Sequence, residues 1–365
     1  MRYLKAALLV FLVSGLVASV GAFALHGDPT LASVRKHGDV RCGVGGDTPG
    51  FSLRDDRGRW SGLEVEFCRA VAAATLGDSS KVKFVTLSGR EGFEALRAGT
   101  VDVLIANSAT RLEPEVRRDV WDAAVIYFDG QLVAVGKNSG IDSARQLGGK
   151  PVCTLASTPD ARNLGDWLGQ KGLSFTPVTF RTRDEMYKAF YAGRCAAVSQ
   201  NVTPLSVNII VDGMGESYKV LRDDIIAMEP TAAYVRAGDE QWFDAVRWTF
   251  NALLIAEDRD LTQANVRQQR SSGSWEVRHM LGVPPSDGNA LGLDAGWALN
   301  VIEQVGNYNE IFDRSLGRQT PFDFLRGINA LSNRGGEMVP PPLDALTERQ
   351  PQTAAASRVA NTVSE

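Results

Sequence analysis

Histidine is scarce in this sequence, and cysteine never occurs in the close pairs that zinc and redox sites use. The 365 residues include only His26, His37 and His279, and none of the four Cys lies in a Cys-x-x-Cys motif. A zinc or dithiol redox centre is therefore not expected. No His lies between residues 38 and 278, so a Ser-His or Cys-His nucleophile is also not expected there. We predict that the protein uses no metal and no cofactor.

Strong net charge and a second long hydrophobic run are also missing. The formal net charge is −4, so the chain lacks the basic excess that nucleic-acid binding uses, and we expect no nucleic-acid partner. Beyond the N terminus, no apolar run approaches the roughly 20 residues of a membrane helix. With 44% hydrophobic and 22% charged residues, the composition is typical of a soluble globular protein with room for two domains.

The N terminus has the form of a secretion signal. Arg2 and Lys5 precede an apolar segment from residue 6 to 22, and Ala22 and Ala24 form a small-x-small cleavage pattern. A permanent membrane anchor is the alternative, but the run is at the short end for spanning a bilayer and ends in that pattern. We predict that residues 1–24 are removed and that the mature protein works outside the cytoplasm.

Strand and helix patterns alternate twice along the chain. The first β-α-β-α-β series is predicted at residues 40–44, 63–76, 82–87, 90–97 and 101–106, and the second at 151–155, 160–170, 175–180, 183–192 and 195–199. Such alternation indicates parallel strands covered by helices. We therefore predict an α/β protein of two similar lobes, with a ligand cleft at the carboxyl ends of their strands.

Two segments, 127–135 and 232–236, are predicted to cross between the lobes, and hinge closure is the expected motion. In the later helices, apolar spacing places four aromatic residues in the core: Trp242, Trp248, Trp297 and Tyr308. The predicted boundaries are a signal peptide at 1–24, lobe I at 25–132 and 235–342, lobe II at 133–234, and a disordered tail at 343–365.

The even number of cysteines in an exported chain suggests disulfides, although four buried free thiols are the alternative. Three pairings of Cys42, Cys68, Cys153 and Cys195 are formally available. The spacing favours Cys42–Cys68 and Cys153–Cys195, because each pair then falls inside one proposed lobe. A bond between the lobes would restrain their motion.

Six short motifs occur in order along both proposed lobes. They are GFS at 50–52, WSGLEVEFCRA at 60–70, GRC at 193–195, DEQWFD at 239–244, TQANV at 262–266 and VGNY at 305–308. Together they resemble the family 3 solute-binding proteins of ABC importers, most closely the general L-amino acid-binding proteins of Gram-negative bacteria. The resemblance implies a type II periplasmic-binding-protein fold, with two α/β lobes joined by a double-crossing hinge. It also implies a periplasmic monomer that captures a small polar, amino acid-like solute and delivers it to an ABC permease in the inner membrane.

The charged groups by which the family holds an amino acid are absent from the matching positions. The resemblance implies an Arg for the α-carboxylate and an Asp for the α-ammonium, but ungapped matching places Pro114 and Asn201 there. Three explanations stay open. Arg111 or Arg117 supplies the guanidinium from a shifted loop; the pocket takes a different solute; or the protein has lost transport and serves as a sensor partner or structural remnant.

Nine residues at predicted strand ends and helix starts are candidates for solute contacts: Asp47, Thr48, Phe51, Asn107, Ser108, Arg111, Ser157, Thr158 and Asn201. Hydrogen bonds to the nearby backbone of a turn would account for Asp47 and Thr48 as well as solute contacts do. For Phe51, the alternative to a solute contact is a position in the core. The same fold also carries dehydratases, so a periplasmic dehydratase is the alternative function. We predict a binding protein rather than an enzyme, because no nucleophile with its base, carboxylate pair or metal cluster stands out in the sequence.

Overall fold

The structure is a computed structural model that describes residues 29–87, 89–107, 119–156, 158–221, 224–284 and 286–342. The predicted signal peptide and C-terminal tail lie outside these residues. The strands are β1 (Val40–Val44), β2 (Asp47–Thr48), β3 (Ser52–Arg54), β4 (Trp60–Ser61), β5 (Val82–Thr86), β6 (Val103–Asn107), β7 (Val120–Gly136), β8 (Pro151–Leu155), β9 (Thr176–Phe180), β10 (Ala197–Asn201), β11 (Tyr218–Leu221) and β12 (Ala227–Arg236).

The helices are α1 (Thr30–His37), α2 (Leu63–Leu76), α3 (Gly89–Arg97), α4 (Asp160–Gly169), α5 (Arg183–Tyr191), α6 (Val202–Val211), α7 (Glu240–Asp258), α8 (Val266–Ser272), α9 (Trp275–Met280), α10 (Trp297–Val305) and α11 (Tyr308–Ser315). Short 3₁₀ turns lie at Ala144–Leu147, Asp287–Leu291, Gly327–Asn329 and Ser332–Arg334. In the part of the chain that the structure describes, no helix is long and apolar enough to cross a bilayer.

One sheet of nine strands runs through both lobes, in the order β5-β1-β6-β12-β7-β10-β8-β9, with β11 also paired to β7. Strands β1, β5 and β6 run parallel in lobe I, and β8, β9 and β10 run parallel in lobe II. The antiparallel strands β7 and β12 pass between the lobes and pair along all of β12. This is the predicted double crossing, while the residue boundaries of the lobes stay a prediction.

The two crossing strands are longer than the sequence patterns predict. β7 begins at Val120 rather than 127, and β12 begins at Ala227 rather than 232. The added residues include acidic side chains such as Asp122 and Glu229, which interrupt the apolar pattern of a buried strand. Pairing between the two strands holds these segments extended despite that interruption.

Both disulfides join the cysteines that the spacing favours. Cys42 on β1 bonds to Cys68 on α2, and Cys153 on β8 bonds to Cys195 just before β10. All four residues are buried. The predicted pairing is confirmed, and neither bond crosses between the lobes.

The core of lobe I forms around α2, which is buried at all but three of its fourteen residues. Three of the four aromatic side chains predicted for the core are buried there: Trp242, Trp297 and Tyr308. The prediction for Trp248 is wrong, because its side chain is 36% exposed. Trp248 lies at the edge of the buried face of α7, which passes through Trp242, Ala245 and Thr249.

Gly62 fixes the start of α2 against the loop that follows β2. Its φ is 119°, and a Cβ at this position would lie 2.2 Å from the carbonyl oxygen of Phe51. A larger residue is therefore excluded by both the backbone conformation and the close approach. The close approach lets the N–H groups of Leu63 and Glu64 donate to the carbonyls of Gly50 and Phe51, each at 3.0 Å.

The C-terminal segment, residues 317–342, is fastened to the crossing strand β7. The Asn329 side-chain oxygen accepts from the Phe128 N–H at 2.7 Å, and its amide group donates to the Phe128 carbonyl at 2.9 Å. Arg326 donates to the Asn329 carbonyl and forms an ion pair with the buried Glu257 at 3.1 Å. The segment thus provides hydrogen-bond partners for both main-chain groups of Phe128 in β7.

Replacing Asn329 with Ala should lower the free energy of unfolding by about 2 kcal/mol, because two main-chain groups of β7 then lose their partners. Urea denaturation measures this change. The control is Asn333→Ala on the same segment, whose exposed side chain donates to Asp258 and should change stability by less than about 0.5 kcal/mol. Equal effects of the two substitutions would contradict a special role for Asn329.

Candidate functional site

The carboxyl ends of the parallel strands in the two lobes face each other across the middle of β7 and β12. β6 pairs with β12 as far as Asn107 and Thr231, and β10 pairs with β7 as far as Asn201 and Gln131. Residues 128–130 and 228–230 of the crossing strands lie between these two edges. Open α/β sheets bind their ligands at such carboxyl edges.

Three carboxylic acids are buried at this place, and we term them the acid cluster. They are Asp129 on β7, Asp160 at the start of α4 and Glu229 on β12, exposed by 2%, 2% and 6%. Asp129 and Glu229 are direct cross-strand partners. Burial raises the pKa of Asp129 and of Asp160 to about 7, and it also raises the pKa of Glu229. The cluster therefore retains part of its protons at neutral pH.

Neutral hydrogen bonds tie the acid cluster to α4 and β10. The Asn163 amide group donates to the Glu229 carboxylate at 2.9 Å and to the Gln131 side-chain oxygen at 3.0 Å. The Gln131 amide group donates to the Asp160 carbonyl at 2.8 Å and to the Ser199 hydroxyl at 2.9 Å. These bonds fix the orientation of the carboxyl groups before any ligand arrives.

Two polar contacts connect the lobes near the cluster. The Arg183 guanidinium, at the start of α5 in lobe II, lies 3.6 Å from the Asp47 carboxylate in lobe I. The Arg183 Nε is buried and has no hydrogen-bond partner among the described residues. The Tyr127 and Thr203 hydroxyls lie 2.8 Å apart and are buried. The edges of the two lobes therefore meet at this place.

The lobe I candidates have local partners. Asp47 is exposed, pairs with Arg183 and accepts a 3.1 Å hydrogen bond from the Thr48 hydroxyl. Phe51 is buried, and its ring meets the Tyr127 ring edge-on at 5.1 Å. Asn107 ends β6, where its main chain pairs with that of Thr231.

Two lobe II candidates lie at the acid cluster. The Thr158 hydroxyl is 2.6 Å from an Asp160 carboxylate oxygen, and the Asn201 side chain lies close enough to Glu229 to lower the pKa of that carboxyl against the larger effect of burial. Ser108, Arg111 and Ser157 lie outside the described residues, as do Pro114 and Arg117. The structure thus brings Thr158 and Asn201 together and places Asp47 opposite them through Arg183. Solute contacts by the nine candidates stay a prediction.

Residues 40–317 of the chain match the family described as bacterial extracellular solute-binding proteins, family 3. The chain belongs to this family. It is 37% identical over 343 residues to the general L-amino acid-binding periplasmic protein AapJ of Rhizobium johnstonii, which covers 93% of this chain and 100% of AapJ. It is 36% identical to the glutamate/glutamine/aspartate/asparagine-binding protein BztA of Rhodobacter capsulatus, over 86% of this chain and 93% of BztA.

Among solved structures, the chain is similar to an ABC transporter periplasmic binding protein from Brucella ovis with glutathione bound. The TM-score is 0.81 and the identity 37%, over 87% of this chain and 100% of that chain. These similarities confirm the predicted type II periplasmic-binding-protein fold and the predicted class, a solute-binding protein of an ABC importer. The relatives named here are binding proteins rather than enzymes.

The sequence patterns missed the acid cluster, Gln131, Asn163 and Arg183 as residues that lie where the edges of the two lobes meet. The sequence does contain an indication of these residues, because Asp129 and Gln131 interrupt the otherwise apolar crossing segment predicted at 127–135. Polar side chains inside a buried strand indicate either a hydrogen-bond network that stabilises the fold or a functional site. Within the described ranges, no group of three His, Cys, Asp or Glu side chains is arranged to hold a metal ion.

Proposed function

We propose that this protein binds an amino acid, or a related small polar solute, between its lobes in the periplasm and delivers it to an ABC permease in the inner membrane. The acid cluster and Arg183 at one cleft edge carry this proposal, because together they offer partners for both charges of a zwitterion. In this proposal residues 1–24 are removed on export, and the protein is a monomer. Lobe I comprises residues 25–132 and 235–342, and lobe II comprises residues 133–234.

The ligands of the relatives support this choice of solute. AapJ and BztA are both named as amino acid-binding proteins, and the Brucella ovis structure contains glutathione. Free amino acids and the glutamyl end of glutathione share one chemical group, an α-carbon with an ammonium and a carboxylate. We propose Thr158 and Asn201 as contacts of that group from lobe II, and Asp47, Thr48, Phe51, Asn107, Ser108, Arg111 and Ser157 as further contacts. Arg183 is an additional partner for the carboxylate.

Thermal melting of the purified mature protein tests the proposal. The panel at 1 mM contains the L-amino acids, their amides, simple amines and small organic acids. A solute with a Kd on the order of 10 µM should stabilise the protein by about 2.7 kcal/mol, a readily measured increase in melting temperature. We expect at least one α-amino acid to produce this shift and its deaminated acid to produce none. If only solutes without an amino group produce a shift, the proposed ligand class is wrong.

The same sample separates binding from catalysis. After incubation with the stabilising solute, the protein is isolated and denatured, and the released small molecule is identified by mass spectrometry. We expect one unchanged solute per protein chain. Release of a dehydrated product would instead support the dehydratase alternative.

A further inference from the structure

One ion pair joins the two lobes away from the crossing strands. The Arg183 Nη1 atom, on α5 in lobe II, lies 3.6 Å from an Asp47 carboxylate oxygen on β2 in lobe I. With the lobe boundaries proposed above, every other ion pair among the described residues joins two groups of the same lobe. The contact between the Tyr127 and Thr203 hydroxyls involves the crossing strand β7 itself. The Arg183–Asp47 pair is therefore the ion pair that opening of the lobes has to break.

The position of Arg183 is unfavourable for a cation unless a counter-charge lies near it. Arg183 is the first residue of α5, where the helix dipole disfavours positive charge. Its side chain is 28% exposed, and its Nε atom is buried without a hydrogen-bond partner among the described residues. A partly buried cation at this end of a helix is stabilised by an anion that approaches it. Asp47 provides that anion when the lobes meet.

The other acidic groups near Arg183 do not replace Asp47. Asp184 forms an ion pair within α5, and Glu185 accepts a hydrogen bond from the main chain at the start of the same helix. Burial raises the pKa of Asp160 to about 7, and the charge of Arg183 acts against this rise. Asp160 therefore keeps part of its proton at neutral pH and is an incomplete counter-charge.

Both partners of the pair are held by their own lobe. The strand β2 that carries Asp47 pairs with β3, and the Asp47 carboxylate accepts from the Thr48 hydroxyl at 3.1 Å. The start of α5 is fixed by its cap, since the Thr182 hydroxyl accepts from the main-chain N–H of the third helical residue at 3.3 Å. The distance between the charges thus depends on how the lobes are placed.

We infer that the Asp47–Arg183 ion pair is a latch that holds the two lobes together before any solute binds. The ligand-free protein then populates a closed form, and a solute that fits this form binds with an apparent Kd lowered in the same proportion. The latch uses Nη1 of Arg183 and leaves the Nε atom available to a solute. The inference goes beyond the proposed function, because it concerns the protein without its solute.

The distance between two spin labels on the ligand-free mature protein tests the inference. The labels are attached to Arg57→Cys, on the turn between β3 and β4, and to Lys188→Cys on α5. Both positions are exposed and belong to the two elements that carry the latch. All native cysteines are in disulfides, so only the introduced thiols react. Double electron–electron resonance then gives the ratio of closed to open molecules.

The latch is removed by Asp47→Asn, which keeps the shape of the side chain and the acceptor for Thr48. We expect this variant to lower the ratio of closed to open molecules by about threefold at low ionic strength. Arg183→Asp and Asp47→Arg should each lower it at least as much, and the two together should restore it to within about twofold of wild type. The matched control is Glu216→Gln, which removes an exposed ion pair of 3.5 Å to Lys137 inside lobe II and should leave the ratio unchanged.

Salt provides a second measurement, because screening weakens an exposed ion pair. Raising NaCl to about 0.5 M should lower the ratio in wild type and leave it unchanged in Asp47→Asn. If Arg183→Asp does not fold, Asp47→Asn and this salt dependence decide. A wild type that is entirely open, an unchanged ratio in Asp47→Asn, or a charge exchange that restores nothing overturns the inference.

Failure of the latch and failure of the proposed function give different results. If the ratio does not respond to Asp47→Asn but an α-amino acid still raises the melting temperature, the latch is wrong and the proposed function stands. If the ratio responds as expected but no solute raises the melting temperature, the latch is confirmed and the proposed function is contradicted.

Discussion

Replacing Cys153 and Cys195 with serine should lower the free energy of unfolding by about 4 kcal/mol, and replacing Cys42 and Cys68 should lower it by about 3.5 kcal/mol. The two bonds close loops with sequence separations of 42 and 26 residues. Without the bond, the unfolded chain gains the conformational freedom of that loop. Either loss is a large part of the 5–15 kcal/mol, roughly, by which a folded protein is stable.

Guanidinium denaturation of the two double-serine variants measures this loss, and wild type unfolded under reducing conditions provides the comparison for losing both bonds. The position of each bond predicts which strands and helices lose stability when that bond is removed. Without Cys153–Cys195, hydrogen exchange should accelerate in β8, β9 and β10, while β1 and α2 keep their protection. A variant as resistant to denaturant as wild type would contradict the stabilising role. Faster exchange in both lobes would contradict the expectation that the loss of stability is restricted to one lobe.

The ligand-free protein should lose stability as the pH rises from 5 to 7.5. Asp129 and Asp160 have folded-state pKa values of about 7, above the roughly 3.9 of an unfolded Asp. Between these values the folded state binds more protons than the unfolded state, so the free energy of unfolding falls with rising pH and levels off above about 7. One such carboxyl contributes about 2–3 kcal/mol to the difference between pH 5 and pH 7.5.

Asp129→Asn tests the origin of this pH dependence. The groups that interact with Asp129 are Glu229 on β12, Tyr127 on its own strand and Thr203 on α6, and burial is the main cause of its raised pKa. Asparagine keeps an acceptor for the Gly130 N–H and removes the titration, so urea denaturation should show a pH dependence smaller by about 2–3 kcal/mol. The control is Asp166→Asn on the exposed face of α4, which should leave the pH dependence unchanged. The explanation fails if Asp129→Asn loses as much stability between pH 5 and 7.5 as wild type.

Elements with a simple periodicity could be predicted, and elements held by distant partners could not. The strand at Pro151–Leu155 matches its prediction, and the helix at Asp160–Gly169 differs from its prediction by one residue. The strand predicted at 195–199 is instead Ala197–Asn201, because pairing with β7 extends to Gln131. Helix α6 was not predicted, since its Val- and Ile-rich sequence has the composition of a strand and its helical form depends on packing in lobe II.

The sequence by itself determined the α/β class, the alternation that builds two lobes, the family and the disulfide pairing. Each of these follows from local periodicity, from short motifs or from spacing within one lobe. Only the tertiary structure decided which polar groups meet between the lobes. Asp129, Asp160 and Glu229 come from three separate elements, and Arg183 reaches Asp47 from the opposite lobe. Local patterns cannot show which distant carboxyl groups become neighbours, because strand pairing and helix packing bring them together and burial then changes their chemistry.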